Sequence, residues 1–417
     1  MTASTPAPTA TGGSAGAAQA DPSVDPRFSL NARNGSATFI VALASLMMAN
    51  LAPHILTALG VLGFDIIASG NILTWALLAS AVVGLLSARL ASGSLRRPLA
   101  AAGLLIATIA FSVGTFASDP TVVAVALIVG GVGVGTAIST SGAAIAALQN
   151  PNRVSAASGL TNRVLITVVL AIIPLVGVSQ ISVFATLALI SLAGLALAVW
   201  LPGVPEHAEP VDVTTSLEIA APRRITIAGI AVLIVFAVWG TSEDAIWTMA
   251  PVLGDAIGVG EQTLGFSLSL AAAGGILGML FVTIAGERIG RALPLAIALV
   301  LGGGIKVAIG LTTDPVVLCI LIIAVNTVYA FAFTLFIATA AGLDARGRWS
   351  GPLVGAYLVG SSFAPLIGGA FIEWLGTPLF ALIMGIVSFA AIAPVVWIAR
   401  VSVGAERALA RYSQPTS

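Results

Sequence analysis

Residues 202–224 read PGVPEHAEPVDVTTSLEIAAPRR. Four prolines (Pro202, Pro205, Pro210, Pro222) and four acids (Glu206, Glu209, Asp212, Glu218) leave no apolar run, so this is a solvated strap. On both sides the chain turns strongly apolar. A helix crosses a hydrocarbon core of about 30 Å with about 20 apolar residues. Six such stretches precede the strap, at 37–59, 66–88, 98–117, 121–144, 157–177 and 179–201. Six follow it, at 225–251, 264–285, 293–312, 315–341, 351–373 and 377–400. The reading is an all-α membrane protein of twelve transmembrane helices in two bundles, 37–201 and 225–400. The strap 202–224 joins them, with tails at 1–36 and 401–417. The first tail is rich in Ala, Thr, Gly, Ser and Pro, as disordered segments are. It lacks the apolar core and cleavage site of a signal peptide.

Composition agrees. Of 417 residues, 58% are apolar and 8% charged, against about 25% charged in soluble domains. Seventeen basic and seventeen acidic residues cancel, so there is no cationic excess for nucleic acid. A single cysteine, Cys319, and two histidines, His54 and His207, argue against a disulfide framework or a metal centre. No Gly-Lys-Ser or Gly-Lys-Thr phosphate loop and no His-Glu-x-x-His zinc motif occur. No cofactor and no enzymatic activity are expected. A membrane-embedded enzyme and a non-transporting sensor or scaffold are the remote alternatives.

Charge placement tests the span count. With the N-terminus inside, every arginine falls in an inner segment or beside one, and Lys306 is the single basic exception. The outer turns carry Asp65, Asp119, Asp255, Glu261 and Asp314. This is the positive-inside pattern, and it places both termini in the cytoplasm. The halves also echo each other at an offset near 195–198. Ala52-Pro53 matches Ala250-Pro251, Gly60-Val61 matches Gly258-Val259, and Arg96 matches Arg291. Parallel repeats of six helices describe one large class of secondary transporters.

On these features the chain resembles the major facilitator superfamily over about 37–400. The family's signature loop follows span two and is echoed after span eight. Here the echo is the fuller copy, Glu287-Arg288-Ile289-Gly290-Arg291. In the first loop Gly84 and Arg89 fit, Ala88 replaces the acid, and Arg96-Arg97 come late. The resemblance implies that Arg89, Arg96, Arg97, Glu287, Arg288, Gly290 and Arg291 latch the cytoplasmic side; the bland alternative is that the arginines only set topology. Proton-driven drug exporters of the family place an Arg in span four, where this chain has Leu127 ahead of Gly130-Gly131-Val-Gly133-Val-Gly135. They also carry a Gly-Pro kink in span five, which here offers only Pro174; the related Ala364-Pro365-Leu-Ile-Gly368-Gly369 lies in span eleven. Both departures count against that subtype.

Charges at bilayer depth are costly and invite a functional reading. Gly240-Thr-Ser-Glu243-Asp244 lies in span seven, with Glu243 roughly 27 Å along the helix. Adjacent helical residues point about 100° apart, so the two acids serve different faces. Glu243 shares a stripe with Trp239 and Trp247, Asp244 with Gly240 and Thr248. One acid is expected to face the cavity and bind a proton or a cation; the alternative is two solvated interface charges flanked by belt tryptophans. Arg163 in span five attracts an anionic group or snorkels to the surface. His54 is a proton-sensing or structural histidine. Lys306 is expected to reach outer headgroups from a peripheral helix. By family analogy the cavity is lined by spans one, two, four, five, seven, eight, ten and eleven, which makes Asn50, Asn71, Trp75, Thr140, Asn162, Trp247, Asn326, Tyr329 and Tyr357 candidates. For each neutral polar residue a helix–helix hydrogen bond is the simpler role.

The expected function is alternating-access transport of a small molecule by a monomer in a bacterial cytoplasmic membrane, driven by protons. Two acids against one arginine suit efflux of a lipophilic or cationic compound. Import of a small organic solute or acid bound through Arg163 is the alternative.

Overall fold

A computed structural model describes residues 27–204, 223–285, 290–343 and 348–412. The strap beyond Val204, most of the N-terminal tail, Glu287 and Arg288 lie outside the described residues. The helices are α1 (Ala32–Asn50), α2 (Ala52–Val61), α3 (Ile66–Ser92), α4 (Arg96–Phe116), α5 (Pro120–Ala146), α6 (Pro151–Val176) and α7 (Gln180–Leu197), which ends in a 3-10 turn, Ala198–Trp200. After the strap come α8 (Arg223–Thr248), α9 (Ala250–Asp255), α10 (Glu261–Ala285), α11 (Ala292–Leu311), α12 (Pro315–Ala341), α13 (Ser350–Ser362) and α14 (Ala364–Tyr412).

Proline accounts for the difference between fourteen helices and twelve spans. Proline lacks an N–H and breaks the helical ladder. Ala52-Pro53, Ala250-Pro251 and Ala364-Pro365 each restart a helix inside one span, and α1 and α2 meet at 52°. Among the described residues ten helices are long and apolar enough to cross a bilayer, eleven with that bent pair counted as one. The last apolar stretch, Pro352–Glu406, runs 55 residues. At about 1.5 Å per residue it would be far too long for one crossing. Gly376, at φ 80°, folds it back on itself and makes the twelfth span.

The acids of the arginine-poor end have a local task. Asp65, Asp119 and Asp314 are N-caps of α3, α5 and α12, accepting from Ala68 N at 2.7 Å, Thr121 N at 2.8 Å and Val316 N at 2.8 Å. Carboxylates there also meet the positive ends of the helix dipoles.

Two pseudo-symmetric six-helix bundles result. In the first, α5 packs between α3 and α4, and α4 against α7; in the second, α12 packs against α10 and α11, and α11 against α14. The glycine run of α5 exists for this contact. A Cβ on Gly131 or Gly135 would strike the α3 backbone at Ala76 or Ser80, and one on Gly130 the Phe111 ring of α4. The bundles meet through α6 with α10 and α3 with α13 and α14.

The two ends differ. At the arginine-poor end one hydrophobic core draws on both bundles, including Leu51, Ile55 and Leu59 with Leu253 and Leu268. Backbones approach closely there: a Cβ on Gly70 would meet the Pro365 carbonyl at 2.5 Å, and one on Gly369 the Ile66 carbonyl at 2.8 Å. At the arginine-rich end each bundle keeps its own core, around Val41 and Leu104 in the first and around Phe236 and Phe336 in the second. One core is therefore shared by the bundles at one end, and at the other each bundle has a core of its own.

Candidate functional site

Asp244 stands at the centre of a polar cluster built from both bundles. One turn before it, Gly240 has no side chain, and the Tyr357 ring fills that space, 2.5 Å from where a Cβ would sit. From there Tyr357 donates to Asp244 Oδ2 at 2.7 Å. Ser361, one turn further along α13, donates to the same oxygen. The Tyr329 hydroxyl lies 2.6 Å from that of Tyr357, so Tyr329 donates to Tyr357 and a relay leads to the carboxylate. Arg163 of α6 reaches over from the first bundle. Its guanidinium lies 6.0 Å from the Tyr329 ring centroid.

Glu243 faces elsewhere, as the helical geometry requires. It meets Lys306 of α11 at 2.8 Å. The ammonium also donates to Ser242 Oγ at 2.8 Å and to Ser388 Oγ at 2.9 Å, so all three of its protons are placed. Lys306 is 0% exposed and Glu243 7%. The expected reach of Lys306 to outer headgroups is corrected: α11 turns this face inward onto α8 and α14. Gly302, one turn earlier, carried the signal, because a Cβ there would approach Glu243 Oε1. The picture of two solvated acids beside belt tryptophans fails with it, since Trp239 is 1% exposed and stacks on Phe236 and Tyr329.

A second cross-bundle contact lies at the α1 and α8 breaks. Across the bundles the Trp247 indole donates to the Asn50 carbonyl at 3.3 Å, and within the first bundle Asn50 donates to Asn162 at 3.3 Å. Asn326 is buried on α12, and Asn71 is half-buried on α3. Trp75 is 60% exposed. Thr140 is fully buried, and its hydroxyl bonds back to the Thr136 carbonyl at 2.8 Å. His54 is buried in the shared core, paired with the Leu170 backbone, with Nε2 unpartnered. It does not join the Asp244 cluster. Among the described residues no three His, Cys, Asp or Glu side chains gather as a metal site.

Arg96, Arg97 and Arg291 of the signature loops bind inside their own bundles. Arg96, at the start of α4, donates to the carbonyls of Ala91, Pro202 and Gly203 at 2.8, 2.9 and 2.7 Å, and Arg97 to that of Leu201 at 2.7 Å. Its repeat partner Arg291, before α11, binds Ser402 at 3.1 Å and Glu406 at 3.1 Å on α14. Each thus ties the third span of its bundle to the sixth. Gly290 supplies the turn before α11 at φ 64°, and Arg89 is exposed.

At the end with the shared core Glu261 accepts from Val178 N at 2.5 Å, across the bundles. Partial burial, and then the charge of Glu261, hold the Asp255 carboxyl above the usual carboxylate range.

Twelve spans in two like bundles, with a polar cluster where the bundles face each other, define a secondary carrier. The profile of the Major Facilitator Superfamily matches residues 35–343. The chain belongs to that superfamily and is a membrane transporter. Among solved structures it is similar to a D-xylose-proton symporter (TM-score 0.68, 14% identity, 86% of this chain and 95% of that one). It is also similar to the human organic anion transporter TETRAN (0.65, 14%, 87% and 99%) and the nucleoside transporter NupG (0.64, 14%, 88% and 99%). No curated protein matches the sequence.

Proposed function

We propose that this transporter couples the movement of a small organic solute to protons by alternating access, with Asp244 as the proton-binding carboxylate. The carrying observation is the pairing of charges: Glu243 is neutralised by Lys306, whereas Asp244 has no salt bridge among the described residues and is held by Tyr357 and Ser361, with Arg163 over the ring of the next tyrosine, Tyr329. The two acids thus do not outweigh the arginine at the site. When Asp244 is ionised, its charge competes for Arg163. Protonation removes that competitor and frees the guanidinium for an anionic or acceptor-rich group. Proton and solute then strengthen each other's binding, which is the thermodynamic condition for symport. Uptake of a small organic acid or acceptor-rich solute follows, rather than the cation efflux that two acids would favour. The symporter among the solved structures and the organic anion transporter give this reading a precedent of chemistry on the same fold.

The aromatic rings of Tyr329 and Tyr357 around Asp244 favour one other reading, a cation bound in place of the proton and exported by antiport.

In the bilayer, the arginine-rich end faces the cytoplasm by the positive-inside rule, with both termini there. The bodies that rock are 37–201 and 225–400, tethered by the strap, and the shared core at the other end is the closed outer gate. Reconstituted proteoliposomes test the reading. With a solute found by uptake screening, an inward proton gradient drives accumulation, and acidification tightens solute binding. Weaker binding at acid pH overturns symport in favour of antiport.

A further inference from the structure

A second site lies at the arginine-rich end of the first bundle, where α1 and α4 begin and the 3-10 turn after α7 ends. Between them is a cavity of about 250 Å³, lined among others by Arg33, Arg97, Val199, Trp200 and Gly203. Arg97 spends its Nε on the Leu201 carbonyl, which leaves both Nη nitrogens for another acceptor. The Arg33 guanidinium has no ion-pair partner among the described residues. Within 27–204 the carboxylates are Asp65 and Asp119, and both cap helices at the opposite end. Two cations therefore border one cavity with no counterion among the described residues of their own bundle.

The rim says what kind of anion fits. Val199 is 61% exposed and Trp200 43%, beside the guanidinium groups. This level of the fold is the membrane–water boundary, where tryptophan anchors and arginine meets phosphate. A soluble anion gains nothing from Val199 and Trp200; a lipid gains contact for its acyl chains while its phosphate takes charge-assisted hydrogen bonds. We propose that this cavity binds the headgroup of an anionic phospholipid, its phosphate held between Arg33 and Arg97 and its chains laid along Val199 and Trp200.

Full-length protein in detergent, titrated with phosphatidylglycerol, phosphatidylcholine or inorganic phosphate, tests this by thermal unfolding and native mass spectrometry. Phosphatidylglycerol raises Tm and survives as one retained lipid; phosphatidylcholine and inorganic phosphate do neither. Arg33→Gln weakens the phosphatidylglycerol response at least tenfold, and Arg153→Gln, an exposed arginine away from the cavity, leaves it unchanged. Arg97→Gln weakens it too; should that variant unfold, Arg33→Gln decides alone, because the Arg33 side chain ties no helix. An equal response to phosphatidylcholine, a phosphate response that lipid does not exceed, or wild-type lipid binding by Arg33→Gln each overturns the proposal.

Discussion

Glu243→Gln removes one partner of an ion pair that has no water to fall back on. Lys306 keeps its bonds to Ser242 and Ser388 but loses the carboxylate at 2.8 Å. Stripping one partner from a buried pair costs about 3–5 kcal/mol. At about 2–4 °C per kcal/mol for a domain of bundle size, the midpoint falls by at least about 6 °C. Replacing both groups together, as Glu243→Leu with Lys306→Met, removes the desolvated charges as well as their attraction, and such exchanges are neutral or stabilising. The double variant should return to within about 2 °C of the parent by a margin set by packing alone. Fluorescence-detected size exclusion after graded heating reads both values. Proton-driven uptake by the double variant should keep its pH profile, because the pair carries no cargo. Unchanged stability of Glu243→Gln would refute the burial argument. A double variant that folds but loses proton coupling would transfer the proton site from Asp244 to Glu243.

Four other outcomes follow from the structure. Asp244→Asn should abolish accumulation driven by a proton gradient and spare solute exchange, measured as counterflow in proteoliposomes, whereas Ser361→Ala, which removes one hydrogen bond to the charge worth about 1.5–3 kcal/mol, should shift the pH profile and keep coupling. Gly240→Val places a branched side chain where the Tyr357 ring lies and should reduce uptake at least tenfold while leaving the amount of folded protein near normal. The carboxyl of Asp255 titrates above its unfolded value, so its contribution to stability is complete below about pH 4 and fades as pH rises through the folded value; Asp255→Asn should flatten the rise of Tm on acidification across that interval.

The twelve spans were legible because lipid imposes length and apolarity on every crossing, and the offset of Ala52-Pro53 and Ala250-Pro251 marked two real helix breaks. The Asp244 cluster was legible as a set of polar residues in spans five, seven, ten and eleven, since such residues are rare there. Its wiring was not, because the Tyr357 bond depends on the space at Gly240 and on how α13 rotates against α8. Lys306 was misread for a related reason. Family analogy makes its helix peripheral, although Gly302 and Gly303 mark a tightly packed inner face and Lys306 shares that face with Gly302. The resemblance implies a cytoplasmic latch for the loop arginines, yet Arg96 and Arg97 bind carbonyls at the end of the sixth span, groups that no side-chain pattern displays, while Arg291 binds Ser402 and Glu406 on α14.

Infrared difference spectroscopy across a pH titration asks most directly which buried carboxylate exchanges protons. A protonated-carboxyl band from a buried acid, apart from those of exposed acids such as Asp255, should appear on acidification, vanish in Asp244→Asn, and persist in the Glu243→Leu/Lys306→Met variant. A band that survives Asp244→Asn and disappears with the Glu243 pair would contradict the account.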